Sequence, residues 1–536
     1  MTKTTTKKRK RRYTKQAKRL QKETLLSFIA ILFVIFLVVK FHSSPQHYKV
    51  VIFQEDNSVE IIQHYTNFKT AKKEMQRLID VGEYNPAIMN QDDAILAIRY
   101  GVVNFNTKAC GENTSYTVEN SGKTGYTNGC YGADAAYLET NDKGDQVRFK
   151  QSGAIGWVAL NEIEITNYYD SAQAASINHY TIKDDDIYHM GTTDMSSSTY
   201  ALSILLGNNS IGLTQTVLYS YDGHYFYEAY PQMIDDYRAG TYANSVNPNQ
   251  PYYNYYQYLS HRSKTSYVSH EINSYIQNYL GYGAKPSSYP PGIYQSQLYD
   301  EGYSFVEAQN TYGVNALMMF SVAVNESNFG RSQISIEKNN LFGHAAYDNA
   351  PGENANGYDE VSSSISTHAQ VFLNQGYLNP CDQVAENDIT PKICLAQGYR
   401  YAGGYFGDKA SGLNVHYASD PYWGEKAAQY YMLFDRQMGE RDKDRYRICF
   451  LSKQNVNAYS EPSSKSNIMY ITPSYDPYAL VVIGEVQGSE VEGNTLWYKI
   501  QSDAVLNKER DGIQVHPTTY NFKSDVVYIP AAYFKP

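Results

Sequence analysis

The sequence predicts a multidomain protein: an α+β region around one buried helix, small α/β and all-β accessory domains, and one N-terminal transmembrane helix. Three observations support this fold class. At 536 residues the chain is too long for a single hydrophobic core. A basic block near the N-terminus is followed by a continuous apolar stretch. Farther along, an almost uninterrupted apolar run from Ala316 to Val324 has the all-round hydrophobicity of a buried helix.

The N-terminal segment predicts a membrane anchor. Residues 1–24 contain eleven Lys and Arg and one Glu, so they carry a charge of +10. Residues 25–41 form an apolar stretch near the short limit of roughly 17 residues for a spanning helix. The cationic flank predicts a cytoplasmic N-terminus, and therefore a single-pass protein of the cell membrane with an extracellular body. A cleaved signal peptide, giving a secreted or wall-associated protein, is the alternative. The anchor is favoured because no A-x-A cleavage site follows Phe41.

The charge of the body argues against nucleic acid as a partner. The formal net charge is −9, which leaves −19 on residues 25–536 once the basic block is set aside. An acidic body repels a phosphate backbone. Tyrosine is abundant, with 54 residues. Its ring can stack on sugar faces while its hydroxyl forms hydrogen bonds, although packing explains most individual tyrosines equally well.

The first half of the extracellular body divides by composition into four segments. Residues 45–100 predict a small α/β module, with a strand hairpin, a helix over 66–81 and a further strand. Residues 101–166, rich in turns and short strands, predict an SH3-like β module. Residues 167–285 form a Tyr-rich accessory region, in which Asp222-Gly223 predicts the turn of a hairpin over 218–227. The Pro- and Ser-rich residues 286–300 predict a linker.

The five cysteines predict two local disulfides in an exported chain, Cys110–Cys130 and Cys381–Cys394. Free thiols are the alternative. Cys449 is left over in a strand-like segment. Because the sequence has no clustered His and Cys set, neither a metal site nor a cofactor is expected.

Glu326 is the strongest candidate for a catalytic residue. It follows the apolar run directly, so the helix should deliver its carboxyl group to the edge of the core. Desolvation and the negative end of the helix dipole should both raise the pKa of this carboxyl. A protonated carboxylic acid can donate a proton to a glycosidic oxygen. A solvent-exposed Glu at the helix end is the alternative interpretation.

Four motifs from Ser304 to Asp435 give this segment a family resemblance. They are Glu326-Ser327-Asn328-Phe329-Gly330, Asn339-Asn340-Leu341-Phe342-Gly343, Ala346-Tyr347-Asp348 and Tyr417-Ala418-Ser419-Asp420-Pro421. The segment resembles the bacterial peptidoglycan glucosaminidases of glycoside hydrolase family 73. That resemblance implies a lysozyme-like α+β catalytic domain over residues 301–440. It also implies hydrolysis of the β-1,4 bond between N-acetylglucosamine and N-acetylmuramic acid in peptidoglycan glycan strands.

The resemblance and the residue types together suggest roles within the site. Glu326 is the expected general acid, Asp348 the second carboxylate, and Tyr417 a residue that supports the reacting sugar. The candidate substrate-binding residues are Asn340, Phe342, Tyr347, Glu360 and Asp420. His344 is expected to be structural. In an inverting mechanism Asp348 or Glu360 would activate water, whereas in a substrate-assisted mechanism the N-acetyl group of the sugar would attack. The sequence leaves both open.

The C-terminal residues 446–536 consist of short strand-like segments typical of a small β-barrel. They resemble bacterial SH3-like wall-binding domains. Tyr459 stands where that pattern has Arg, so ligand contacts made through the Arg do not transfer to this chain.

Two other functional classes remain open at the level of the sequence. One is a non-catalytic wall-binding or scaffold protein. The other is a muramidase or lytic transglycosylase that uses the same Glu326. The intact motifs favour the glucosaminidase over both.

Overall fold

The computed structural model describes residues 47–54, 58–131, 134–168, 177–195, 202–345, 355–381 and 400–535. The chain divides near Leu96 into two compact units. In the described ranges, no helix is long and apolar enough to cross a membrane. The predicted anchor, residues 25–41, lies outside those ranges.

The first unit contains a helix and an antiparallel sheet. Its elements are β1 (Tyr48–Phe53), β2 (Val59–Tyr65), α1 (Phe68–Asp80), β3 (Asn85–Met89) and β4 (Ile95–Ile98), with strand order β2-β1-β3-β4. Helix α1 begins after Asn67, whose side chain accepts a hydrogen bond from the Thr70 backbone N–H. Its buried residues, which include Ala71, Met75 and Leu78, recur at helical spacing. The hairpin, helix and strand expected between residues 45 and 100 all form.

The second unit begins with a seven-stranded sheet. Its strands are β5 (Gly101–Asn104), β6 (Asn113–Val118), β7 (Thr124–Asn128), β8 (Asp134–Thr140), β9 (Gln146–Gln151), β10 (Ala154–Ala159) and β11 (Glu164–Asn167). The strand order is β11-β5-β8-β9-β10-β6-β7. Strands β6 and β7 form a hairpin at one edge, and a disulfide joins Cys110 to Cys130 across its base.

The Tyr-rich region continues with a three-stranded sheet, β12 (His179–Lys183), β13 (Asp186–Gly191) and β14 (Leu202–Asn208). The hairpin predicted over 218–227 forms only in part: Tyr219 and Tyr227 are joined by an isolated antiparallel bridge, without regular strands on either side. At the turn, the N–H groups of His224 and Tyr225 donate to the side chain of Asp222, through its Oδ1 atom, and not to a facing strand.

The helices of the second unit surround one main core. In the described ranges they are α2 (Tyr230–Ala239), α3 (Tyr255–Tyr258), α4 (Ser269–Asn278), α5 (Gly302–Tyr312), α6 (Ala316–Ser327), α7 (Gln333–Lys338), α8 (Val361–Thr367) and α9 (Trp423–Gln437). A π-helical segment, His368–Tyr377, continues α8. Tyr252, Tyr256 and Tyr258 are buried inside the protein, so their rings are not available to stack on a sugar.

Helix α6 is the centre of that core, as its sequence predicts. Every residue from Ala316 to Val324 is buried. Asn315 caps its start by accepting hydrogen bonds from the N–H groups of Leu317 and Met318. Gly313 ends the preceding helix at a φ of 66°, a left-handed conformation that costs glycine little.

The predicted linker, residues 286–300, is corrected in its last part, because residues 296–298 are buried whereas residues 287–290 and 292–294 are exposed. Leu298 is fully buried in the main core, and Ser296 N–H donates to the Ala284 carbonyl over 3.0 Å. Its Pro- and Ser-rich composition disfavours regular secondary structure, but it does not prevent side chains such as Leu298 from packing.

The C-terminal residues form a six-stranded antiparallel sheet within the same unit. Its strands are β15 (Arg447–Phe450), β16 (Asn457–Tyr459), β17 (Ile468–Ile471), β18 (Ala479–Val491), β19 (Asn494–Gln501) and β20 (Val526–Pro530), in the order β15-β18-β19-β20-β16-β17. Buried Arg262 joins this sheet region to the helices. Its guanidinium lies 4.1 Å from the Tyr520 ring centre and donates to Asn374 Oδ1 over 2.7 Å. Cys449 is free and half-buried in β15.

Candidate active site

The last turn of α6 places Glu326 at the wall of a cavity. Helix α6 ends at Ser327, and its C-cap residue Asn328 adopts a left-handed conformation with a φ of 49°. The Glu326 carboxylate accepts a hydrogen bond from Trp423 Nε1 at 2.5 Å and a weaker one from Asn325 Nδ2 at 3.4 Å. Burial raises the pKa of Glu326, and the two hydrogen bonds oppose this shift in part. The direction and the main cause match the expectation from the sequence.

The cavity has a volume of about 790 Å³ and draws its walls from distant parts of the chain. Its lining residues are Asn113, Ser115, Tyr126, Tyr131, Asn325, Glu326, Phe342, Gly343, His344, Ala345, Phe372, Tyr377, Tyr417, Ala418, Ser419, Asp420 and Trp423. A cleft of this size, with aromatic walls and few charged groups, is typical of a carbohydrate or small-molecule site.

Aromatic rings surround the Glu326 carboxyl. Tyr417 is half-buried and stacks on Trp423 at 4.5 Å between ring centres, and the Tyr377 ring lies 5.2 Å from Tyr417. Burial, followed by the nearby Glu326 carboxyl, raises the pKa of Tyr417, so its hydroxyl stays protonated at neutral pH. Tyr417 therefore lies beside the candidate acid, and its support of the reacting sugar stays a prediction.

A second aromatic layer contains His344. Its ring stacks on Phe372 at 3.8 Å, and its Nε2 lies 3.1 Å from Nδ1 of His368. Burial lowers the pKa of His344 to about 3, so the imidazole is neutral across the physiological range. His344 cannot serve as a cationic proton donor there, and its contacts fit the expected structural role.

Two predicted substrate-binding residues line the cavity. Phe342 is buried in its wall, and its ring stacks on His368 at 3.9 Å. Asp420 also lines the cavity, where its carboxylate forms an ion pair with Lys426 and accepts from the Tyr422 N–H.

The prediction that Asn340 binds substrate is corrected, because its side chain stabilises a turn and does not line the cavity. It is 1 % exposed. Its Nδ2 donates to the His344 and Asn356 carbonyls, and its Oδ1 accepts from the N–H groups of Phe342 and His344. All its hydrogen-bonding capacity therefore serves the loop that carries Phe342 and His344.

The prediction that Glu360 binds substrate is also corrected. It is exposed at the start of α8, where it occupies the N-cap position and accepts from Ser362 Oγ at 3.2 Å. It does not line the cavity. A carboxylate at this end of a helix is favoured by the helix dipole, which accounts for its presence without a catalytic role.

Several predicted residues lie outside the described ranges, namely Tyr347, Asp348 and Cys394. Cys381, the expected partner of Cys394, is buried and disulfide-bonded. Within the described ranges, the structure contains no group of three His, Cys, Asp or Glu side chains placed to hold a metal ion.

The sequence reasoning missed one whole wall of the cavity and the hydrogen-bond donor to Glu326. Asn113, Ser115, Tyr126 and Tyr131 come from the β6–β7 hairpin and the residues after it, some 200 positions before Glu326. Trp423 is one of only three tryptophans in the chain and follows the Tyr417–Pro421 motif closely. Its rarity and its position after this motif are the one feature of the sequence that could have identified Trp423 as a site residue.

The loop that carries Tyr417 is held by donors from outside it. Buried Lys409 donates to the Asn414 and Ala418 carbonyls. Tyr126 Oη donates to the His416 carbonyl at 2.9 Å. Burial lowers the pKa of Lys409 to about 7, and nearby Asp420 and Asp408 oppose the shift.

Comparison with known proteins assigns the segment that contains this site. Residues 302–435 match the family model for glucosaminidase, described as mannosyl-glycoprotein endo-beta-N-acetylglucosaminidase. The segment is therefore a glucosaminidase-type domain, and it contains Glu326, Tyr417 and Trp423.

Two curated relatives from different strains of Streptococcus pneumoniae are each described as a putative endo-beta-N-acetylglucosaminidase. Both are 38 % identical over 150 residues, or 28 % of this chain. The match spans only 20 % and 18 % of the two relatives' own lengths.

Among solved structures, a catalytic mutant of Staphylococcus aureus autolysin E in complex with the disaccharide NAG-NAM is 20 % identical. The comparison covers 34 % of this chain and 73 % of that one, with a TM-score of 0.23. A second structure of autolysin E, in complex with the muropeptide NAM-L-ALA-D-iGLU, has a TM-score of 0.22.

Proposed function

We propose that this protein is a cell-wall hydrolase that cleaves the β-1,4 bond between N-acetylglucosamine and N-acetylmuramic acid in peptidoglycan. The observation that carries the proposal is a carboxyl of raised pKa, Glu326, at the wall of an aromatic cavity inside a glucosaminidase-type segment. The pneumococcal relatives, described as endo-beta-N-acetylglucosaminidases, support the same activity.

In the proposed reaction Glu326 protonates the oxygen of the glycosidic bond as that bond breaks. Burial raises the pKa of Glu326 and so favours the protonated form of the carboxyl, and the Trp423 hydrogen bond fixes its Oε1 atom. Tyr417 supports the sugar ring beside the acid. Attack on the anomeric carbon comes from a water molecule activated by a second carboxylate, for which Asp348 is the candidate, or from the sugar's own N-acetyl group.

Digestion of purified peptidoglycan by the protein tests the proposal. New reducing ends on N-acetylglucosamine, identified by mass spectrometry, are the expected products. Reducing ends on N-acetylmuramic acid would instead show a muramidase, and 1,6-anhydro ends would show a lytic transglycosylase. Binding to the wall without any new ends would show a scaffold protein.

We also propose that the catalytic domain has a lysozyme-like α+β fold and that residues 446–536 act as an SH3-like wall-binding region. The buried helix that ends at Glu326 supports the first, and the six-stranded antiparallel sheet supports the second. Wall-binding assays with Tyr459→Ala and Tyr498→Ala in the full chain would test the second proposal, since both rings lie in that sheet.

The membrane location is a proposal that rests on the sequence alone. Residues 25–41 are proposed to anchor the protein, with residues 1–24 in the cytoplasm and the body outside. Protease added to intact protoplasts should remove the body and leave a short membrane-bound stub. Full protection of the body would overturn this topology, and mature protein in the medium starting near residue 44 would show a cleaved signal.

A further inference from the structure

The β6–β7 hairpin presents one polar face to the cavity. Asn113 and Ser115 are alternate residues of β6, and Ser115 pairs with Tyr126 across the hairpin. All three line the cavity that contains Glu326. The intervening side chain, Thr114, is buried on the other face, so the alternation of the strand fixes which residues reach the cleft.

The hairpin is fixed against the loop that carries Tyr417. Besides the Tyr126 hydrogen bond to His416, the Asn128 N–H donates to the Ser419 carbonyl over 3.0 Å. The Cys110–Cys130 disulfide ties the two ends of the hairpin together. The polar face therefore keeps a constant position relative to Tyr417, which a binding surface requires.

The side chains of Asn113 and Ser115 are free to bind a ligand. Both residues are exposed, and within the described part of the chain neither side chain has a hydrogen-bond partner. An amide offers two donors and an acceptor, and a hydroxyl both donates and accepts. These are the groups that recognise sugar hydroxyls and acetamido groups. Tyr131, 39 % exposed, adds an aromatic surface beside them.

The charge of the cavity selects a neutral ligand. None of its described lining residues is Lys or Arg, His344 is neutral, and the carboxyl groups are those of Glu326 and Asp420. An anionic peptide stem would find no cation among these residues. A neutral sugar would meet only hydroxyl, amide and aromatic groups on the hairpin wall.

We propose that Asn113 and Ser115 form a sugar-binding subsite, which holds an N-acetylated amino sugar at a position along the glycan away from the bond that is cleaved. The subsite rests on the proposed glycan-hydrolase function and extends the cleft beyond the matched segment. It makes the β module of residues 101–166 part of the substrate-binding site.

Binding of N-acetylglucosamine oligomers to the full chain tests the subsite without catalysis. Glu326→Gln, which should prevent hydrolysis, serves as the background. Adding Asn113→Ala and Ser115→Ala should weaken binding of a hexamer about tenfold, as expected for two lost hydrogen bonds, and should leave a dimer almost unaffected. Thr124→Ala is the matched control, since Thr124 is exposed in β7 but does not line the cavity. Equal hexamer affinity in all variants, or no binding by any of them, would overturn the subsite.

Kinetics on purified peptidoglycan separate binding from folding. The Asn113→Ala/Ser115→Ala double variant should raise KM about tenfold with little change in kcat or Tm. A change confined to kcat would refute a remote subsite, and a lower Tm with normal KM would indicate a structural role. If the wild-type protein releases no reducing ends, the proposed function fails, while the oligomer measurements still decide the subsite.

Discussion

Trp423 Nε1 donates a hydrogen bond of 2.5 Å to Oε1 of Glu326, and the same indole ring stacks on Tyr417. One side chain thus orients the candidate acid and supports the aromatic wall beside it. Trp423 is the first residue of α9, a helix that packs along α6, so two core helices fix this pair. Orientation by packed helices is more exact than a loop would provide.

Trp423→Phe should therefore lower kcat and shift its pH dependence. The hydrogen bond from Trp423 lowers the pKa of Glu326, so its loss should raise that pKa further and move the alkaline limb of the kcat profile to higher pH. We expect kcat at the optimum to fall about tenfold because the carboxyl loses its orientation. Trp157→Phe, in β10 and away from the cavity, is the control. An unchanged profile in Trp423→Phe would show that the hydrogen bond does not act on the reacting acid.

Glu326→Gln should abolish hydrolysis and leave the fold intact. The amide is nearly isosteric but cannot supply the proton, so the rate should drop by at least ~10²–10⁴-fold. Glu337→Gln, at an exposed position of α7, should keep full activity. If Glu326→Gln retained more than a tenth of the wild-type rate, Glu326 would not be the acid.

The same variant should show a pH-dependent gain in stability. Burial raises the pKa of Glu326 above the ~4.3 of an unfolded chain. The stabilising contribution of the protonated carboxyl is complete below that unfolded value, and it is lost as the pH rises through the raised folded pKa. Glu326→Gln should thus melt at or above the wild-type temperature at pH 7, and the two curves should converge below about pH 4. If the Tm of Glu326→Gln relative to wild type were lower at pH 7 than at pH 4, the predicted direction of the pKa shift would be wrong.

Local sequence signals predicted the elements that position Glu326. These signals are the apolar run of α6, the cap at Asn315 and the left-handed Gly313. Each depends on contacts within a few residues along the chain, so the sequence alone can predict it. The N-terminus of α5 was harder. The spacing of Ser304 and Glu307 is typical of a capping box, but α5 starts earlier, at Gly302, and Ser304 Oγ donates to Glu301 Oε2 over 2.6 Å.

Contacts between distant segments were beyond the reach of the sequence. Asn113 and Ser115 look like ordinary exposed strand residues until the fold places β6 beside the Tyr417 loop. Asn340 was misassigned for a related reason. A polar residue inside a family motif fits either a ligand contact or a turn, and only its four hydrogen bonds to backbone groups distinguish the two.

Asp348→Asn should reduce activity strongly, and Glu360→Gln should matter less. Asp348 follows the Asn339–Gly343 motif closely, whereas Glu360 is exposed at the start of α8. Loss of a catalytic base should cost about 10²–10⁴-fold in rate, and kinetics with melting curves on both variants provide the measurement. A base would cost rate alone, whereas a loop anchor would also lower Tm. Normal turnover in both variants would point to the N-acetyl group of the substrate, and a dead Glu360→Gln with an active Asp348→Asn would reverse the ranking.

Lys409→Met should release the loop that carries Tyr417. The ammonium group of Lys409 holds two carbonyls of that loop, at Asn414 and Ala418, and methionine keeps the apolar stem but donates no hydrogen bond. Displacement of Tyr417 should lower kcat/KM about tenfold, with most of the loss in kcat because Lys409 does not line the cavity. Lys465→Met, at an exposed position, should leave both constants unchanged.

The stability of Lys409→Met should differ from wild type in a way that depends on pH. Burial lowers the pKa of Lys409 to about 7, while the unfolded chain has a lysine pKa of ~10.4. Between these values the unfolded state binds more protons, so wild-type stability should rise with pH from about 7 to about 10. The methionine variant lacks this rise, and its Tm relative to wild type should therefore be higher at pH 7 than at pH 9.5. A constant difference between those pH values would show that Lys409 titrates normally in the folded protein, and unchanged kcat/KM would show that its two hydrogen bonds do not position Tyr417.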